Sequence, residues 1–472
     1  MQKMDYIKLG FKCGLEIHQQ LEGRKLFCHC IPGAGKKEPD AEVVRKLRAS
    51  AGEMGIIDIS AKHEMEKGRH FIYESSSEST CLVELDEEPI HQLSQEALDT
   101  ALTVSLLLNC TIADEIVFMR KTVIDGSNTS GFQRTALIAY NGFLETSRGK
   151  VIIPTICLEE EAAQKVEESN DCVRYRLDRL GIPLIEIATD ASLKDPEHVK
   201  ESAEKIGMIL RSTGKVRRGI GTIRQDVNLS IKGHPRVEIK GFQDLRSIIK
   251  TINIEVQRQL AEKKPESHVR KVNPDFTTSY LRPMPGPARM YVETDMRTIR
   301  ISKEALSRIK LPSLISEKAN NLEKFGIGGP VADKLAREGK DAYFVSLFGK
   351  FSSLKPSFIV EAFLSVKAIS KDFSAPEQKL TDQVIEKALA LVDEGKLQKG
   401  NMYEAMADIA KGKFEIGKYS SASENELESA IESIVKEKPG LKEGAYMGLI
   451  MGKFHGKVDG KKAMQILKRL IG

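Results

Sequence analysis

The sequence predicts an α+β protein: an N-terminal cradle built on an antiparallel β-sheet with helices, then an all-α helical domain, then a small helical tail. Three observations carry this. Up to about Ile301, short segments alternate apolar and polar residues with period two, as in KCGLEIHQQL, KVIIPTICLEE, IPLIEIAT, GTIRQDVNLSI and RVEIKGF. Between them, HQLSQEALDTALTVSLLL and PEHVKESAEKIGMILRSTG have helical spacing, the second stopping at a glycine as helices do. After ISKEALSRIK the alternation fades and amphipathic helices follow one another: PVADKLAREG, PSFIVEAFLSVKAIS, LTDQVIEKALALVDEG and NMYEAMADIAKG. This change places a boundary at Arg300–Ser302, and the polar, proline-bearing KDFSAPEQKL places another near Ser374–Pro376. The expected domains are 1–302, 303–375 and 376–472.

The bulk properties bound the function. A chain of 472 residues exceeds what one core usually serves, and 41% hydrophobic with 29% charged residues is ordinary globular material. No apolar run is long enough for a bilayer, and MQKMDYIKLGF lacks the pattern of a secretory leader. Seven scattered cysteines, an odd number, fit reduced thiols, so a cytoplasmic protein is expected. The formal charge of +5 only leans toward an anionic partner. With no tryptophan and 6% aromatics, a broad base-stacking platform is not expected.

The strands raise a chemical question. In CGLEIHQQL, Leu15 and Ile17 face one way and Glu16, His18 and Gln20 the other. GTIRQDVNLSI puts Arg224, Asp226 and Asn228 opposite Ile223, Val227 and Leu229. RVEIKGF sets Glu238 and Lys240 against Val237 and Ile239, and Glu186 stands between Ile185 and Ile187. TICLEEEA runs an apolar strand into Glu159, Glu160 and Glu161. One polar face is a wet strand, and salt-bridge ladders would look similar. Several such faces mixing carboxylates, histidine, amides and cations point to a nucleotide and metal site, because carboxylates hold a divalent cation and cations neutralise phosphate oxygens. His18 with Glu159 or Glu160 and Glu186 is the candidate metal cluster, His18 acting as a ligand or in proton transfer beside the ion.

A second candidate is RKTVIDGSNTSGFQRT, Arg120 to Thr135, whose glycines and hydroxyls, Ser127 and Asn128 among them, would let backbone N–H groups approach a phosphate; a plain surface loop reads equally well. The segment TSYLRPMPGPARMYVETD offers Arg282, Arg289, Glu293 and Asp295 to seal a cleft. Cys28 and Cys30, with Cys81, raise a zinc site, but C-x-C without a second pair reads first as free thiols. No nucleophile-elbow motif and no catalytic Cys/His arrangement stands out.

Taken together, GLEIHQQL with KLFCHC, DGSNTSGFQRT, TICLEEEAA, LIEIATD, GTIRQDVNLSIKG, RVEIKGFQDL and RPMPGPARMYVETD resemble the GatE proteins of archaeal Glu-tRNA(Gln) amidotransferases, with bacterial GatB as a more distant relative. The resemblance spans nearly the whole chain and implies an activity: ATP phosphorylates the side-chain carboxylate of glutamate misacylated on tRNA(Gln), and ammonia displaces the phosphate. It implies ATP and Mg²⁺ as cofactors. It also implies that an asparaginase-like glutaminase partner supplies the ammonia, in a heterotetramer with two copies of each chain. Carried over by position, His18 and Glu186 match the family's metal residues, joined by Glu160 or Glu159. Arg224, Asp226, Asn228, Glu238 and Lys240 match residues facing ATP and the acceptor end, and Glu16, Gln20, Ser127 and Asn128 are expected to face the nucleotide. The synthetase-like insertion usual in GatE proteins has no room here, since the chain passes directly through QLAEKKPESHVRKVNPD.

The closing GKFHGKVDGKKAMQILKRL resembles the YqeY-like tail of the same family. Ala463, Ile466, Leu467, Leu470 and Ile471 form an apolar stripe, while Lys453, Lys457, Lys461, Lys462, Lys468 and Arg469 make the segment basic. The expectation is a surface for tRNA phosphates.

Overall fold

Alternation puts the apolar side of each strand in one plane, and three helices cover that plane. The computed structural model describes residues 4–33, 38–49, 51, 55–242, 244–284, 290–419, 424–454 and 460–471, without the side chains of Glu424, Asn425 and Lys461. The chain divides into two compact units, Met1–Leu314 and Ile315–Gly472.

The first unit holds an 11-stranded sheet. Its centre is four neighbouring antiparallel strands, in the order Ile223–Ser230, Lys12–Gln20, Pro183–Ala188, Gly149–Glu160. Leu15, Ile17, Ile185, Ile187, Val227, Leu229, Val237 and Ile239 are buried in one core. The helices Gln95–Leu107, Pro196–Ser212 and Leu245–Ala261 contribute Leu98, Leu102, Val199, Ile206, Ile248 and Ile252 to it. The first two helices start on Ser94 and Asp195, whose side chains accept from Ala97 N and His198 N, the expected N-cap device.

The sheet is antiparallel except where Val237–Phe242 pairs in parallel with His268–Val272. Parallel neighbours need a crossover, and the 17-residue helix Leu245–Ala261 supplies it. That helix lies in a region whose strand motifs dominate the sequence pattern, and its strong amphipathicity was the available signal. Only Glu262–Ser267 separates it from the next strand, so this short connection stands where an insertion would need room.

A smaller four-stranded sheet, Ala41–Arg45, His70–Ser75, Cys172–Arg176 and Gln164–Glu168, has its own core of Phe71, Tyr73, Val173, Tyr175, Leu177 and Leu180. It anchors the Arg120–Thr135 segment. That segment is two strands, Phe118–Thr122 and Phe132–Thr146, joined by a turn. The Tyr73 and Tyr175 hydroxyls donate to the carbonyls of Gly126 and Asp125, both at 2.8 Å. Gly126 has φ +87°, and a Cβ there would stand 2.2 Å from the Phe71 ring, so only glycine fits.

The second unit is helical among its described residues. PSFIVEAFLSVKAIS divides into Pro356–Leu364 and Val366–Asp372 at Ser365. The stretch at Ser374–Pro376 lies within this unit, with Ala375 buried. The helices Glu424–Glu437, Glu443–Phe454 and Gly460–Ile471 pack around their own core of Leu427, Ile431, Tyr446, Ile450, Ala463, Ile466 and Leu467. Ile471, assigned to the apolar stripe, is exposed instead because it sits in the last turn, past the core. No described helix is long and apolar enough to cross a membrane.

Candidate active site

Strand register builds the site. His18 is paired across the sheet with Glu186 on one side and Arg224 on the other, and Glu16 stands opposite Asp226. These residues face away from the helices, because their neighbours Leu15, Ile17, Ile185, Ile187 and Val227 take the buried face. The result is a pocket of about 790 Å³ whose lining includes His18, Arg224, Asp226, Lys240, Ser127 and Asn128.

His18 Nε2 lies 3.2 Å from Glu186 Oε2, 3.4 Å from Glu16 Oε1 and 4.0 Å from Glu159 Oε2. Burial works to lower the His18 pKa, but the hydrogen bond and charge of Glu186, with Glu16 and Glu159, lift it to about 9. Burial and the facing Glu186 push Glu16 up to about 7. Burial also opposes charge on Glu186, yet the His18 hydrogen bond and the charge of Lys121 hold its pKa well below the usual carboxylate range. An imidazolium and ammonium groups thus balance a buried carboxylate set. Glu16, His18 and Glu186 offer ligand atoms within 4.8 Å of one another, so these three could hold a cation. Two carboxylates suit a hard ion such as Mg²⁺, and Glu16's difficulty in ionising beside Glu186 is what an added cation relieves.

Three successive glutamates part company here. Glu159 joins the pocket side, with Lys121 Nζ at 2.6 Å and Gln133 Nε2 at 3.1 Å. Glu160, one residue on, points to the other face and belongs to no metal cluster among the described residues. It lies against Arg134, with its Oε1 3.3 Å from Nη1. Arg134 also bonds Glu293 at 2.6 Å, and Glu293 in turn accepts from Arg120 at 2.5 Å. Burial pushes Glu160 up in pKa against Arg134's charge. The alternation of a single strand is the reason, and it moves Glu160 from the expected metal and catalytic set to a buried ion network. Glu16, expected only to face the nucleotide, takes its place beside His18.

Glu161 meets Arg224 with two bonds, 2.6 and 2.9 Å, and accepts from Gln20 Nε2 at 3.0 Å. Gln20 is therefore buried and committed to Glu161, rather than open to a nucleotide. Lys240 lies between Asp226 at 2.5 Å and Glu238 at 2.6 Å. Burial opposes its charge, but Asp226 and Glu238 raise its pKa above the ordinary lysine value. Asn228 shares the face with Arg224 and Asp226 but lies outside the pocket lining, with its buried Oδ1 unpartnered. Ser127 Oγ donates to Asp125 at 2.6 Å on the pocket wall, beside the buried Asn128.

Lys121 was not singled out by the sequence; its place in FMRKT, alternating with Arg120, was the signal. Asp58, Ser60 and Glu64 also line the pocket, and Arg282 Nη1 donates to Ser60 Oγ at 2.7 Å. Nothing local marks them, since tertiary folding brings them in. Glu293 lies behind the pocket with Arg134, Asp295 pairs with Arg120 at 3.3 Å, and Arg289 lies outside the described residues. Away from the pocket lining, Cys28, Cys30, Cys81 and Glu84 also gather ligand atoms within 4.8 Å, a donor set that suits zinc.

In the tail, Lys453 and Lys462 are exposed. Lys468 and Arg469 are exposed too, but pair with Glu443 and Glu428. Lys457 and the Lys461 side chain lie outside the described residues.

Comparison with known proteins gives the family. Residues 11–307 match the model of the GatB/GatE catalytic domain. The chain is 36% identical over 583 residues to the GatE chain of the Glu-tRNA(Gln) amidotransferase from Methanocaldococcus jannaschii, covering 91% of this chain and 92% of the relative. Against its counterpart from Methanococcus maripaludis it is 35% identical over 584 residues, covering 91% of each. With that of Methanothermobacter thermautotrophicus it shares 54% identity over 259 residues, 55% of this chain and 42% of the relative. The longer alignments exceed the 472 residues present here, so these relatives carry more than a hundred positions without a counterpart. A catalytic-domain match over most of the first unit and relatives covered almost end to end leave one conclusion: the chain belongs to the GatB/GatE family.

Proposed function

We propose that this chain converts Glu-tRNA(Gln) to Gln-tRNA(Gln) in an ATP-dependent reaction. The observation that carries the reading is the register gathering Glu16, Glu186 and Glu159 around His18, which lines the pocket beside Arg224, Asp226 and Lys240. The relatives' names, which state amidotransferase and Glu-tRNA(Gln), support it.

A carboxylate is a poor electrophile, because oxide is a bad leaving group. A glutamyl carboxylate oxygen attacks the γ-phosphorus of ATP and ADP leaves, giving an acyl phosphate. Ammonia then attacks the acyl carbon, inorganic phosphate leaves, and a proton is lost to give the amide. Both anions must enter an already acidic pocket. Lys240 and Lys121 supply fixed positive charge, and Arg224, held by Glu161, presents its guanidinium edge to the lining. Glu16, Glu186 and His18 would hold Mg²⁺, which when bound offsets the charge of phosphate and carboxylate together. His18, hydrogen-bonded to Glu186, orients that carboxylate; protonated without the ion, it would give up its proton on binding one. The ammonia comes from an asparaginase-like glutaminase partner, consistent with the lack of a recognisable glutaminase nucleophile in the sequence.

The test is direct. The isolated chain, with Glu-tRNA(Gln), ATP, Mg²⁺ and ammonium, forms Gln-tRNA(Gln) and ADP, while glutamine in place of ammonium gives no product. A non-catalytic tRNA-binding scaffold, the alternative, would bind the tRNA and turn over nothing.

A further inference from the structure

One loop at the pocket mouth plays no part in the chemistry above. It runs through Arg217, Arg218, Gly219, Ile220, Gly221 and Thr222. Ile220 is 100% exposed although it lines the pocket, together with Gly219 and Gly221. Isolated exposed apolar residues are common, but a wholly uncovered β-branched side chain at a pocket rim has no folding role. The glycines on either side have φ +127° and +80°, a conformation that side chains rarely adopt, so the backbone itself holds the tip clear of the body.

The feet of this loop are fixed. The buried Gln19 amide donates to the carbonyls of Arg217 at 3.0 Å and Thr222 at 3.1 Å, and to that of Gln20 at 2.8 Å. The Gln20 backbone completes the grip, donating to Thr222 O at 2.9 Å and accepting from Arg217 N at 3.0 Å. One side chain therefore ties both ends of the loop to the strand that carries His18. The tip is left apolar and pivoted on two glycines, and two residues past Thr222 the chain reaches Arg224. Arg217 and Arg218 lead into the tip, and no ion pair of either is found among the described residues.

An uncovered apolar side chain next to uncommitted guanidinium groups is complementary to a nucleotide: the base offers an apolar face and the phosphate takes the arginines. We propose that the Arg217–Thr222 loop is the adenosine-nucleotide contact of the pocket, with Ile220 packing on the base and Arg217 and Arg218 meeting its phosphate. The inference rests on the functional reading above for the ligand's identity. Two substrates of that reaction end in this chemistry, ATP and the 3′-terminal adenosine of the tRNA.

Two measurements on the full chain decide it. The first is hydrogen exchange of residues 217–222 with a non-hydrolysable ATP analogue and Mg²⁺, and separately with an uncharged acceptor minihelix ending in CCA. Protection by the analogue identifies ATP as the source, and protection by the minihelix identifies the acceptor end. The second is kinetics of Ile220→Ala with ammonia as donor. KM for the protecting substrate rises about tenfold and kcat changes much less, since the loss is one apolar contact remote from the reacting atoms. Ile220→Leu restores KM, and the thermal midpoint of both variants stays at the parental value because Ile220 packs on nothing. A parent that amidates but shows no protection by either ligand, with KM values unchanged in Ile220→Ala, overturns the loop assignment and leaves the functional reading standing. A parent that never amidates removes the functional reading; the exchange experiment, which needs binding and no turnover, then judges the loop by itself.

Discussion

Glu159 and Glu160 are neighbours in sequence, both buried, both ion-paired, and they do different work. Glu159 lies against Lys121, Gln133 and His18, of which Gln133 and His18 line the pocket. Glu160 looks behind the sheet into a network of Arg134, Glu293 and Arg120. On the first side the buried carboxylate touches His18 and Gln133, which line the cavity, so a bound cation or anion there changes its balance. On the other side Glu160, Arg134, Glu293 and Arg120 pair with one another, and none of them lines that cavity. The comparison teaches that neither charge type nor burial announces a reactive group; the neighbours a buried charge touches do. Buried ion networks are costly to break because removing one partner strands the other away from water.

The largest effect expected from this contrast is on the pocket side. His18→Ala and Glu186→Gln each lower ammonia-dependent amidation by roughly a hundredfold or more, with thermal midpoint and tRNA affinity near the parental values. Turnover like the parent's in either variant would break the assignment, and unfolding of both would assign the pocket side to holding the fold together.

On the far side the order of effects reverses. Glu293→Gln leaves Arg120 and Arg134 without their shared carboxylate and costs about 3 kcal/mol of unfolding free energy in urea, while kcat at low temperature stays within a few-fold of the parent. A stable variant with collapsed kcat would show that this network belongs to catalysis.

The same residue gives a pH test. Burial would raise Glu293's pKa, but Arg120's hydrogen bond, Asp295's backbone N–H and Arg134 bring it down to about 2, from an ordinary 4.5. A depressed folded-state pKa means that the stabilisation is complete above about 4.5 and is lost as pH falls toward 2. Thermal midpoints of the parent should therefore drop more steeply than those of Glu293→Gln across that window. Parallel curves would show that Glu293 is not held ionised by the two arginines.

The smallest effect concerns a region with no such pocket-side charge set. Deleting the chain from Glu424 onward removes a three-helix bundle with its own core. We expect KM for Glu-tRNA(Gln) to rise roughly tenfold, less at high salt, with kcat at saturating tRNA nearly kept. Two of its cations are already paired with Glu443 and Glu428, which limits how much phosphate binding the deletion can remove. An unchanged KM with a lowered kcat would show that the tail supports the active site instead.

The sequence by itself determined what alternation determines. Period two separated Glu16 and His18 from Leu15 and Ile17, and Arg224 and Asp226 from Val227, because successive side chains of a strand must point to opposite faces. It also marked most of the helices, through spacing and ends. Tertiary structure decided which strands are neighbours and in what register. Only register could put His18 between Glu186 and Arg224, and only the exact end of the Gly149–Glu160 strand could send Glu159 to Lys121 and His18, Glu160 to Arg134 and Glu161 to Arg224. No local rule counts the phase of three identical residues at a strand end. Ser60 and Ile220 came to the pocket, and Lys121 to Glu159 and Glu186, in the same way: their neighbours in space are far away in sequence, and the packing that unites them is a property of the whole fold.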